Sequence, residues 1–158
     1  MKFHIREAVR DDREKIKILQ KQIADLHRKG RPDLFKEEAR YFDEDSFNWR
    51  INEPTHFIFI AESERGEVIG YAFAWLRYIR DHSSYLDRNE LYIDDVCVLE
   101  KYQRQGIGRM LFNNLKEKAM ANGCLTMELG VFSFNKEAIA FYESLGMTER
   151  IKRMELVL

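Results

Sequence analysis

A chain of 158 residues, 45% hydrophobic and 34% charged, has the length and apolar content for a core of its own and the wrong composition for disorder. Its 26 Lys and Arg are matched by 27 Asp and Glu, so no basic field favours nucleic acid, and no run approaches the ~18 apolar residues of a membrane span. Cys97 and Cys124 lack CxxC or Cys/His spacing, and Met1-Lys2-Phe3-His4 opens no apolar signal core. We expect a metal-free cytoplasmic protein with no membrane or nucleic-acid partner, folded as one domain over 1–158.

Phe3 to Val9 alternates as a half-buried strand, and Asp11-Asp12-Arg13-Glu14 supplies an acidic helix start. Ile16, Leu19, Ile23 and Leu26 then form one apolar stripe, with Gly30 placed to end the helix. A second helix is expected from about Glu37 to Ile51, closed by Asn52-Glu53-Pro54. Phe57 to Ala61 and Val68 to Leu76 read as strands of a hairpin turning at Glu64-Arg65-Gly66-Glu67. After a polar loop from Arg80 to Asn89, a strand from Leu91 to Leu99 leads through a turn into a helix from Gly106 to Asn122. Leu125 to Val131 forms the next strand, Asn135 to Leu145 the last helix, and Met147 to Val157 a final strand pair. Two strands joined through one helix make a parallel βαβ unit, whereas the earlier hairpin is antiparallel, so a mixed α/β sheet with helices on both faces is expected.

Gln103-Arg104-Gln105-Gly106-Ile107-Gly108 follows a strand and opens a helix. First-turn amides without partners in the helix point outward there, the helix dipole favours an anion, and two glycines let a phosphate approach. The same glycines would equally serve a tight strand-to-helix turn. The Lys-Ser/Thr of a P-loop is absent, since Arg109-Met110 follows, and Leu111 stands where a dinucleotide fingerprint needs glycine.

Val96-x-Val98 followed by Gln103-x-x-Gly106-x-Gly108 resembles the acyl-CoA loop of the GNAT superfamily of N-acyltransferases. Asn135-Lys136-Glu137-Ala138-Ile139-Ala140-Phe141-Tyr142-Glu143-Ser144-Leu145-Gly146-Met147 resembles the family's second segment, with Met147 where Phe is commoner. The resemblance implies a mostly antiparallel sheet of about seven strands with about four helices and a central parallel splay. In that splay the main chain of Val96, Cys97 and Val98 would bind the pantetheine arm of acetyl-CoA. The segment Gln103, Arg104, Gln105, Gly106, Ile107, Gly108 and Arg109 would hold its pyrophosphate. Asn135 would contact the cofactor while capping the last helix.

The implied reaction is direct acetyl transfer from acetyl-CoA to a primary amine of a small molecule or peptide. Tyr142 is placed as the group that protonates the departing sulfur; without the resemblance it reads as a core aromatic beside Phe141. Asp94 is the first candidate for the base and Glu90 the second, though either could simply solvate a strand end. Strand alternation sends Asp94 and Asp95 to opposite faces unless a bulge intervenes. A protein N-terminus or lysine is an alternative acceptor, and Gly130, where peptide acetylators often carry Glu, weakens it. A non-catalytic acyl-CoA sensor is the alternative from another class. Cys97 lacks an activating His, which disfavours an acetyl-cysteine route. The resemblance also implies a homodimer, with no apolar stripe in the sequence to mark its interface.

Overall fold

The computed structural model describes residues 2–37 and 42–158. Five strands, β1 (Phe3–Glu7), β2 (His56–Ser63), β3 (Val68–Ile79), β4 (Arg88–Val98) and β5 (Cys124–Leu129), lie in chain order across one sheet. The first four pair antiparallel, and β5 pairs parallel to β4. Between β1 and β2 come α1 (Arg13–Gly30) and α2 (Glu44–Asn52); α3 (Ile107–Ala121) makes the β4-to-β5 crossover and α4 (Lys136–Ser144) follows β5. The mixed α/β class and the four helices match the expectation.

Two cores sandwich the sheet. On one face Ile107, Leu111, Leu115 and Ala119 of α3 bury against Ala72, Ala74, Leu91 and Ile93, and Tyr142 of α4 and Leu145 just after it pack at the margin of this core. On the other face Ile16, Leu19 and Ile23 of α1 and Phe47 of α2 cover Ile58, Ile60, Tyr71, Phe73 and Cys97. The period-2 alternation of the strands thus feeds two layers, and truncating any one of the fully buried leucines to alanine costs about 2–5 kcal/mol.

Several expectations need correction. Residues 147–158 form no strand, so the sheet has five strands rather than about seven. Leu26 of the α1 stripe is 45% exposed, so the buried part of the stripe ends at Ile23. Gly30 is the last residue of α1 and not a left-handed stop; a Cβ there would lie 2.3 Å from the Phe134 ring, so packing selects glycine. The helix read from Glu37 starts instead at Glu44, where Asp43 Oδ1 accepts the Ser46 amide at 2.7 Å; residues 38–41 of that reading lie outside the described residues. The acidic start of α1 acts through Asp12, whose carboxylate accepts the Val9 amide at 2.8 Å and the Arg6 guanidinium at 2.7 and 3.0 Å.

Candidate active site

β4 and β5 pair from Asn89 opposite Cys124 to Ile93 opposite Leu129, where β5 ends while β4 continues to Val98. A notch therefore opens along the last residues of β4. Leu99 donates its amide to Ile69 O of β3 at 2.9 Å, and peptide groups alternate between the two edges of a strand. The main chain of Cys97 consequently faces β3, and that of Val96 and Val98 faces the notch. Val98 O already accepts Gln22 Nε2 at 2.9 Å and Gln103 Nε2 at 3.0 Å. A ligand laid along this edge meets the N–H and C=O of Val96 and the N–H of Val98. The expected share of the Cys97 main chain is absent, because β3 takes it.

Beyond the notch, Arg104 (φ 62°) and Gly106 (φ 84°) are both left-handed and curl the chain into α3. The first bond inside α3 runs from Met110 N to Gly106 O at 3.1 Å, so the amides of Ile107, Gly108 and Arg109 have no partner within the helix. Successive outward amides at a helix N-terminus form an anion cradle. The two glycines act differently. Gly106 is required by its backbone conformation, whereas a Cβ on Gly108 would sit 3.1 Å from Phe141 Cζ, so Gly108 lets α3 close onto α4. The Arg109 side chain turns toward the end of α4, 3.4 Å from Ser144 Oγ.

On α4, Asn135 Oδ1 accepts the Ala138 amide at 3.1 Å, so this residue caps the helix. Tyr142, one ring away from Phe141 at 5.2 Å, lies where burial and then the charge of Asp95 push its phenol upward. It stays protonated at neutral pH. Cys97 is buried, its Sγ 3.6 Å from Leu19 O, and burial raises its thiol to about 12, which leaves no thiolate for a covalent route.

The acids of β4 are sorted by a bulge. Phe73 faces Asp95 while Ala74 faces Ile93, so Asp94 is the extra residue and strict alternation fails at this point. Asp95 turns toward the α1 and α2 layer, where it accepts the Tyr71 hydroxyl at 2.7 Å; burial raises its pKa and this bond offsets part of the rise. Asp94 accepts no hydrogen bond from a described side chain. It is accessible, and crowding by the protein, then the Asp95 charge, lift it to about 6 against a smaller opposing pull from Arg50 of α2.

Glu90 sits on the same face of β4, 1% exposed, and takes Arg88 Nε at 2.7 Å, Arg77 Nη2 at 2.9 Å and Arg150 Nη1 at 3.1 Å. Burial alone would raise its pKa, but the three guanidinium hydrogen bonds bring it down to about 2. Such a group holds charge and gives up basicity. Between Glu90 and Asp94 an aromatic wall crosses four elements: Trp49 lies 4.8 Å from His56, His56 stacks on Trp75 at 6.2 Å, and Trp75 meets Tyr92 at 4.7 Å. Sequence reading missed this wall. The signal was Phe73 and Trp75 two residues apart on β3, but the partners on α2 and β2 are distant in sequence. Among the described residues no cluster of His, Cys, Asp and Glu could hold a metal ion, and no helix is long and apolar enough to cross a membrane.

Comparison with known proteins identifies the family. Thialysine N-epsilon-acetyltransferase of Bos taurus is 31% identical over 149 residues, covering 90% of this chain and 82% of that protein. The Mus musculus counterpart is 34% identical over 85 residues, a match spanning 54% of this chain and about half (47%) of that relative. An x-ray structure of a tetramutant of the BH1408 protein from Bacillus halodurans superposes with a TM-score of 0.93 at 30% identity, covering 98% of this chain and 99% of that one. The model of the acetyltransferase (GNAT) family matches residues 21–147, and the chain belongs to that family of N-acetyltransferases.

Proposed function

We propose that this protein, acting as a single domain, transfers an acetyl group from acetyl-CoA to a primary amine on the side chain of a small amino-acid-like or polyamine acceptor. The observation that carries the reading is Asp94, an accessible carboxylate with a raised pKa and no hydrogen-bond donor among described side chains, at the β4 bulge between Tyr92 of the aromatic wall and Val96 of the notch. The thialysine acetyltransferases among its relatives support the acceptor class.

The notch fits the co-substrate. Val96 and Val98 offer main-chain groups to a pantetheine arm as a strand would, and the amides of Ile107, Gly108 and Arg109 offer an anion site to the pyrophosphate. Acetyl-CoA supplies an activated acetyl thioester. Asp94 takes a proton from the acceptor ammonium, directly or through a water, so that the neutral amine can attack the carbonyl carbon. Tyr142 holds the proton that the sulfur accepts as the carbon–sulfur bond breaks. Trp75, Tyr92 and His56 wall the acceptor channel, where an aliphatic chain can lie against rings while its cationic end reaches Asp94. Glu90 drops out as a base because its charge is bound to three arginines.

Release of free CoA, measured across thialysine, lysine, ornithine, spermidine, an aminoglycoside and an N-terminal peptide, tests the reading. Turnover is expected with the amino-acid side-chain amines or spermidine. Preference for the peptide would overturn the acceptor assignment, and acetyl-CoA binding without turnover on any amine would overturn catalysis in favour of a sensor.

A further inference from the structure

We propose that Arg77, with Arg150 beside it, forms a subsite for the carboxylate of the acceptor, so that the site takes an amino acid through its side-chain amine in preference to a polyamine. The inference rests on the reading of Asp94 as the base. Five charged side chains join in one ion-paired cluster around Glu90, and their charges do not balance. Glu90 and Glu128 supply two carboxylates, whereas Arg77, Arg88 and Arg150 supply three guanidiniums. The cluster holds one positive charge in excess.

The hydrogen bonds show where that excess is presented. All four carboxylate oxygens are engaged: Glu90 Oε1 takes Arg88, Arg150 and the Thr126 hydroxyl, Glu90 Oε2 takes Arg77, and Glu128 takes Arg77 on Oε1 and Arg150 on Oε2. Arg77 spends only Nη2 on the two acids and Arg150 only Nη1, so each keeps a terminal nitrogen with no partner among the described residues. The Arg88 side chain is 14% exposed, while those of Arg77 and Arg150 are 36% and 47% exposed. A planar guanidinium with free N–H groups and charge in excess binds a carboxylate. A second ammonium brought to the same place is repelled and finds no free acceptor oxygen.

The subsite lies in line with the reacting end. The Arg77 guanidinium is 4.8 Å over the Tyr92 ring, and Tyr92 is paired with Trp75 on β3 and with Glu128 on β5. Leu91 and Ile93 belong to the α3 core, so Tyr92 stands on the opposite face, the one from which Arg50 of α2 acts on Asp94. Asp94 follows Tyr92 by two residues, about 7 Å of strand. An extended lysine holds its ammonium about 7 Å from its carboxyl carbon. With that amine at Asp94, the methylenes cross Tyr92 and the carboxylate arrives at the guanidinium that covers this ring.

Release of free CoA from acetyl-CoA, measured with lysine, with lysinamide and with cadaverine, which is lysine without its carboxylate, tests the proposal on the native protein and on Arg77→Gln. The native protein is expected to use lysine with a kcat/KM at least ~10-fold above that of the other two, the scale of one charge-assisted hydrogen bond. In Arg77→Gln that preference is expected to collapse through the KM for lysine, and Arg77→Lys is expected to restore part of it. Equal use of cadaverine or lysinamide by the native protein overturns the subsite and leaves acetyl transfer standing. A variant that loses kcat on lysine and cadaverine alike, with the preference intact, gives Arg77 a structural role and also overturns it. Acetyl-CoA binding with no turnover on any amine overturns the catalytic reading and the subsite together. If Arg77→Gln fails to fold, judged by far-UV circular dichroism, the three acceptors compared on the native protein decide.

Discussion

The Tyr71 hydroxyl donates to Asp95 Oδ2 at 2.7 Å from within the core, and this bond separates two neighbouring acids into different roles. Asp95 is anchored, whereas Asp94, pushed out by the bulge, is left accessible with its pKa raised from 3.8 to about 6. Asp94→Asn is expected to lower turnover by at least ~10-fold and to abolish the acidic limb of the pH–rate profile, which in the native protein rises through about pH 6. A raised folded-state pKa means that the stability held by the protonated acid is present below pH 3.8 and is lost as pH rises through 6. Melting at pH 8 should therefore be higher for the variant, with the gap closing below pH 4. An unchanged profile would remove Asp94 from the reaction.

Tyr142→Phe keeps the ring and its packing but removes the proton. Acetyl-CoA affinity by calorimetry is expected to hold, while turnover falls at least ~10-fold. Equal turnover would return Tyr142 to the core.

Glu90→Gln strips the charge that Arg77, Arg88 and Arg150 share. Because Arg77 and Arg150 are themselves partly exposed, the loss is expected at about 2 kcal/mol, below the range for a fully buried pair. Its folded-state pKa lies below the ordinary 4.5, so the native advantage is full above that pH and fades as pH falls toward 2. Urea titrations at pH 7 and pH 3 check both parts, and equal stability at pH 7 would refute the role.

The glycines of the turn should fail in different ways. Gly106→Val places a β-branched residue at φ 84° and is expected to weaken acetyl-CoA binding with the rest of the fold retained. Gly108→Ala presses on Phe141 at 3.1 Å and is expected to lower the melting temperature by loosening α4. Calorimetric titration and thermal melts of both variants separate the effects.

Periodicity located α1, α3 and the β2–β3 hairpin, because each buries a stripe or a face whose spacing is written locally, and turn signals bracketed the remaining helices and strands, while also suggesting a strand pair from Met147 to Val157 that does not form. The acid pair shows where that ends. Asp94 and Asp95 are adjacent residues of one strand, and nothing in their own spacing reveals the bulge, which arises only when β3 and β4 pair. Glu90 likewise read as a candidate base until arginines from β3, β4 and the C-terminal arm closed around it.

The amino-acid order by itself determined the strand–turn–helix at Gly106 and Gly108 and the Asn135 cap, since each depends on residues within one or two turns of one another, and the family, which two such local segments in order carry. The tertiary structure alone decided which main-chain groups of β4 face the notch, which of the two acids is anchored by a hydroxyl and which is left without a donor, and that residues 151–158 are exposed. Those outcomes depend on how elements distant in sequence pair and pack, and no local spacing encodes that.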